Sequence, residues 1–188
     1  MRTFVALEAG REFLESLLQA LSPLKEKYPY FRWVPKENLH ITLAFLGEID
    51  EAFLPLVKEA AKGAADCGKI SVTGGKLFTL PPRGDANVLA LGFESGGEEI
   101  ALLAEKLKEN LEIRGIMRGG TERKRFLPHI TLARKGRAPI RISKEDQAAS
   151  VRGVFSSLGV YKSELLPQGA RYTVLAAYPL SRIRQIKR

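Results

Sequence analysis

The pentapeptide His-Ile-Thr-Leu-Ala occurs twice, at His40 to Ala44 and at His129 to Ala133, and the two copies hold the only histidines in a chain of 188 residues. Each copy sits in a short apolar run of the kind that forms a strand. In a strand, residues i and i+2 share a face, so each copy presents an imidazole and a hydroxyl side by side while its Ile and Leu turn into a core. The chain must therefore build two similar halves, each with one such strand. An internal structural repeat accounts for the Ile and Leu. It does not account for keeping the polar members, which cost most to bury. A lone His-x-Thr on an apolar strand is usually just a hydrogen-bonded histidine. A matched pair instead suggests one proton acceptor and one proton donor, the work histidine does near neutral pH.

The rest of the chain supports the two-part plan. A strand is expected over about Thr3 to Glu8, then a helix with Leu14, Leu17, Leu18 and Leu21 at helical spacing. The first His strand runs from about Leu39 to Leu46. A second helix starts near Asp50 with Phe53, Leu56, Val57 and Ala60 on one face, and Pro55 fits it only in the first turn. A strand from Ile70 to Leu80, bent at Gly74-Gly75, closes the first half. The second half opens with a strand over Val88 to Phe93. Ser95-Gly96-Gly97-Glu98 reads as a capping box for a helix striped by Ile100, Leu103, Leu107 and Leu111. The second His strand, about Pro128 to Ala133, is followed by a short helix near Ser143 to Ala149. Strands over Val154 to Leu165 and Tyr172 to Tyr178 then form a hairpin turning at Pro167-Gln168-Gly169. The expected fold is α+β, with two sheets and flanking helices facing across a central cleft and one His/Thr pair on each side.

Composition narrows the setting. The net charge of +9 and pI near 9.8 favour a polyanionic partner. Basic residues gather at Arg114, Arg118, Arg123, Lys124 and Arg125, just before the second His strand, and at Arg182, Arg184, Lys187 and Arg188, where a solvated surface is the simpler reading. No apolar stretch is long enough to span a membrane, and Glu8 and Arg11 interrupt any signal-peptide core. The single cysteine, Cys67, fits a reducing cytoplasm and reads as a small buried apolar residue.

Two histidines, two hydroxyls and nearby arginines suit phosphoryl chemistry, in which groups attack and leave on opposite sides of phosphorus. Thr42 and Thr131 can donate to phosphate oxygens. Arg134, at the end of the second His strand, is either a fork on the phosphate or a rim salt bridge. No zinc-type spacing, phosphate-binding glycine loop or nucleophile elbow is present.

The segments Arg2 to Glu8, Asn38 to Gly47, Phe126 to Arg134, and Ser163 to Leu165 with Gly169 and Tyr172 lie in an order that resembles the two-histidine (2H) phosphoesterases. More narrowly, the chain resembles the RNA 2′,3′-cyclic phosphodiesterases, also called 2′-5′ RNA ligases. That resemblance spans the chain and implies one bilobal domain over residues 1–188, acting on RNA ends, tRNA fragments among them, without metal or cofactor; a cytoplasmic monomer with no membrane partner is expected. It implies hydrolysis of a terminal 2′,3′-cyclic phosphate to a 2′-phosphate, with ligation as the reverse. His40 and His129 would be catalytic, His40 protonating the leaving O3′ and His129 activating water, while Thr42, Thr131 and Arg134 hold the phosphate. Phe4 and Trp33 are candidates to stack on the terminal base, although both also fit a core.

Overall fold

Antiparallel strands form the frame of the computed structural model, which describes residues 1–117, 126–143, 145–146, 150–167 and 169–181. The order is β1 (Arg2–Ala9), α1 (Arg11–Lys27), β2 (Arg32–Trp33), β3 (His40–Glu48), α2 (Leu54–Ala64), β4 (Ile70–Leu80), β5 (Val88–Ser95), α3 (Gly97–Ile113), β6 (Ile130–Arg134), β7 (Val151–Leu166) and β8 (Gly169–Pro179). The fold is α+β, as the alternation of patterns implies. The two expected half-sheets are hydrogen-bonded to each other. β7, 16 residues long, pairs with β4 through its first half and with β1 and β8 through the rest. The spatial order is therefore β2-β6-β5-β4-β7-β1-β3, with β8 also on β7. The two His strands lie in opposite halves of this continuous sheet.

Burial follows the apolar stripes, with shifts that packing explains. α1 buries Phe13, Leu17, Leu21 and Leu24, while Leu14 and Leu18 lie at the margin of the stripe. α2 buries Val57, Ala60, Ala61 and Ala64, a small-residue face that lets it pack closely on α3. Phe53 is exposed in a 3-10 turn before α2, and Pro55 occupies the first turn of the helix, where its missing N–H costs nothing. Asp50 caps that turn by accepting from the Ala52 N–H at 2.9 Å. Ile100, Leu103, Leu107 and Leu111 are all buried along α3. Cys67 is half-buried against the core rather than fully enclosed.

Two local readings change. The capping box does not form: β5 runs on to Ser95, and Gly96 is the N-cap of α3, with no side-chain cap. Gly96 takes φ 80°, and a Cβ there would lie 2.4 Å from the Ser71 carbonyl oxygen, so only glycine permits this turn. The helix expected near Ser143 to Ala149 is not seen at Ser143, Glu145 or Asp146, and its other residues lie outside the described set. In its place the Asp146 carboxylate gathers the Ser143 N–H at 2.7 Å, the Lys27 ammonium at 2.6 Å and the Tyr28 hydroxyl, tying this turn to the end of α1. Gly74-Gly75 does mark a break, since the β4–β5 register slips on both sides of Gly74.

Candidate active site

β3 owes its cleft-facing side chains to a slipped ladder. Register shifts against β1 fall between Thr3 and Phe4 and between Val5 and Ala6, so that Glu8, Ala6 and Phe4 oppose His40, Thr42 and Phe45. Strict alternation would put Ala44 on the face of His40 and Thr42. The extra residue brings Phe45 there instead, the usual effect of a bulge. The opposite side chains, Ile41 and Leu43, enter the core.

The His40 imidazole is held at both nitrogens. Nδ1 lies 2.8 Å from the Asn38 carbonyl oxygen and Nε2 lies 3.0 Å from Thr42 Oγ1. A carbonyl oxygen only accepts, so Nδ1 carries the proton and donates, leaving Nε2 to accept from the Thr42 hydroxyl. The ring stacks on Phe4, with centroids 5.0 Å apart, and meets Tyr172 edge-on at 5.4 Å. Phe4 stacks in turn on Tyr161, whose hydroxyl donates to Glu8. Burial pushes the His40 pKa down to about 4; the Asn38 carbonyl opposes this, and the positive fields of Arg134 and His129 add to it. Free His40 is therefore neutral at pH 7.

His129 comes from the other half and just precedes β6, whose pairing with β5 begins at Ile130. Its Nδ1 donates to the Leu127 carbonyl at 2.8 Å, which fixes the same tautomer as in His40. Its only ring neighbour among the described residues is Phe78, edge-on at 6.1 Å. Thr131 is half-buried on β6, and Arg134 ends that strand, exposed. Among the described residues Arg134 is in no ion pair, which disfavours the rim salt bridge.

One cleft of about 990 Å³ is lined by His40, Thr42, His129, Thr131 and Arg134 together. Phe4 reaches it only at its edge, being almost fully buried, whereas Trp33 is half-buried and donates its indole N–H to the Tyr28 carbonyl at 3.1 Å. Arg2, Arg32, Arg171, Phe45 and Tyr172, to which the sequence assigned no site role, also line the cleft. Arg2 lies over the Phe45 ring, 4.6 Å from its centroid. Of the basic run expected at the site, Arg114 pairs with Glu59 and is not in the cleft lining; Arg118, Arg123, Lys124 and Arg125 lie outside the described residues, as do Arg182, Arg184, Lys187 and Arg188. No described helix is long and apolar enough to cross a membrane.

Comparison with known proteins agrees with this architecture. The LigT like Phosphoesterase family model matches residues 9–84. The chain is 28% identical over 184 residues to the RNA 2′,3′-cyclic phosphodiesterase of Thermotoga maritima, covering 93% of each. It is 34% identical over 138 residues to that of Archaeoglobus fulgidus, covering 71% of this chain and 72% of the relative. It is 30% identical over 190 residues to that of Thermus thermophilus, covering 96% and 90%. The crystal structure of TT0787 of Thermus thermophilus superposes with a TM-score of 0.78 at 28% identity, over 97% of this chain and 98% of the other. Escherichia coli LigT in apo form shares the fold, with a TM-score of 0.74 over 96% and 97% of the two chains at 24% identity. With His-x-Thr in each half and relatives along its whole length, the chain is an enzyme of the LigT-like phosphoesterase family, within the two-histidine superfamily.

Proposed function

We propose that this enzyme opens terminal 2′,3′-cyclic phosphates on RNA to 2′-phosphates by histidine acid–base catalysis without a metal, and that the same site run backwards forms 2′-5′ linkages. The single observation that carries the reading is the convergence of His40, Thr42, His129, Thr131 and Arg134 on one cleft from opposite halves of the sheet. Relatives called RNA 2′,3′-cyclic phosphodiesterases support the substrate class. Residues 1–188 act as one unit in this reading, since the cleft needs both halves. The chain works as a cytoplasmic monomer, and tRNA fragments with cyclic phosphate ends fall within its substrate class.

The proton inventory sets a condition. A water molecule attacks phosphorus, His129 Nε2 takes its proton, the P–O3′ bond breaks, and His40 Nε2 gives a proton to O3′. His40 is neutral in the free protein, so it must gain that proton as the anionic phosphate enters, its negative charge favouring the imidazolium against the burial and the Arg134 field that disfavour it. Thr42, Thr131 and Arg134 hold the non-bridging oxygens. Among the described residues no three His, Cys, Asp or Glu side chains gather in a metal-binding group.

The test is hydrolysis of a nucleoside 2′,3′-cyclic phosphate in EDTA, with the product isomer identified. A 2′-phosphate formed at undiminished rate is expected. Loss of activity in EDTA, or a 3′-phosphate product, would sink the proposal.

A further inference from the structure

Among the described residues, exposed arginines at the cleft and beside it have no carboxylate partner. Arg32 and Arg134, which line the cleft, and Arg137, which lines the hollow beside it, are exposed and form no ion pair among the described residues. Arg32 and Arg134 are also direct cross-strand partners in the β2–β6 pair. Like charges placed opposite one another destabilise a strand pair, so this arrangement favours an anion between them. Arg32 lines the catalytic cleft and a second, adjoining hollow formed with Tyr30, Gly136, Arg137 and Ala138. Tyr30 is 61% exposed, with its ring braced edge-on against Phe31 at 5.0 Å. A Cβ on Gly136 would lie 2.5 Å from the Tyr30 carbonyl oxygen, so the two backbones are in close apposition at the hollow.

We infer that this hollow is a subsite for the RNA strand upstream of the reacting end. Arg32 and Arg137 hold backbone phosphates, and Tyr30 offers a face for an upstream base. Unpaired cations beside an exposed aromatic ring are the pairing that holds single strands with little sequence preference. The inference rests on the proposed cyclic phosphodiesterase activity. It adds that the enzyme reads an oligonucleotide end rather than a lone cyclic nucleotide.

The experiment compares kcat/KM for a nucleoside 2′,3′-cyclic phosphate and for a short oligoribonucleotide ending in the same group. The oligonucleotide should be favoured by about tenfold or more, the scale of one stacked base. Tyr30→Leu and Arg137→Gln should remove most of that advantage while leaving mononucleotide turnover unchanged. Arg137→Gln should also flatten the log–log salt dependence of binding to an RNA ending in a 2′-phosphate by about 0.7, one backbone contact on a single strand. Equal turnover of the two substrates by the wild type overturns the subsite, as does an equal loss on both in the variants. If the wild type cleaves neither substrate, the activity reading fails instead, and the binding measurement alone still decides the subsite: an unchanged salt slope and affinity in both variants overturns it.

Discussion

The two His-Ile-Thr-Leu-Ala segments are identical in sequence and unequal in environment. His40 is enclosed by Phe4, Tyr172 and Thr42, and its pKa falls to about 4. His129 is half-buried outside the ladder of its strand, with a backbone carbonyl behind it and Phe78 at its edge. Thr42 donates to the His40 ring, whereas the Thr131 hydroxyl has no hydrogen-bond partner among the described residues. The repeat thus supplies matching groups, and the packing around each makes them differ. The proposed reaction takes a proton on one side and gives one on the other, and unequal surroundings let two matching groups serve it.

The largest expected effect breaks the pair outright. His40→Ala and His129→Ala should each lower kcat/KM for a cyclic nucleotide by about 10²–10⁴-fold while the protein stays folded. The comparison is sharpened with a substrate carrying sulfur in place of the 3′-bridging oxygen, a leaving group that needs no proton. Loss at the acid should then be largely rescued and loss at the base should not. Rescue of His129→Ala instead of His40→Ala would reverse the assigned roles.

The buried histidine should also register in stability. Its folded pKa is depressed, so between about pH 6.5 and 4 the unfolded chain binds a proton that the folded chain refuses. Stability is then fully present above pH 6.5 and falls as pH drops through that window, by about 2–3 kcal/mol. Urea unfolding at pH 7 and pH 4.5 checks this. His40→Gln should lose less stability between the two pH values than the wild type. Equal losses in the two proteins would show that His40 is not held neutral.

The ability to read these halves from sequence stops where packing takes over. The strand-face argument places Ile41 and Ile130 in the core and both imidazoles toward the cleft, because alternation is a local property of the backbone. The helical stripe of α3 is legible for the same reason. Phe45 is not legible, because a bulge between β1 and β3 decides its face, and nothing local in Leu43-Ala44-Phe45 signals an extra residue. The continuous sheet escapes notice because the β4–β7 pairing joins segments far apart in the chain. Ser95 fails as a cap because strand pairing to β4 retains it. The depressed pKa of His40 depends on Phe4 and Tyr172, which converge on it only in three dimensions.

The proposed phosphate ligands should follow in size. Arg134→Ala removes a charge-assisted fork and should lower kcat/KM by about 10–100-fold. Thr131→Val removes one neutral donor, for about 2–10-fold. Thr42→Val should cost more than Thr131→Val, because it also strips the hydroxyl that orients His40 Nε2. Steady-state kinetics on all three variants, with melting temperatures to confirm folding, would rank them. A Thr131 variant hurt more than the Thr42 variant would contradict the inequality drawn between the two halves.

The smallest effect tests a tether on the His40 side alone. Asn38 presents its backbone carbonyl to His40 Nδ1, while its side-chain amide donates to the Ala170 carbonyl at 2.9 Å, linking the imidazole's support to the start of β8. No described residue plays this double part for His129, whose support is the exposed Leu127. Asn38→Ala deletes only the amide and keeps the carbonyl that fixes the tautomer. It should therefore lower stability by about 1 kcal/mol, one ordinary hydrogen bond, and slow turnover only a few-fold through looser placement of His40. Asn38→Asp keeps the shape but sets an acceptor against the Ala170 carbonyl, and should lose at least as much as the alanine variant. If Asn38→Asp instead kept wild-type stability and rate, the link to Ala170 would have no part in holding the buried histidine.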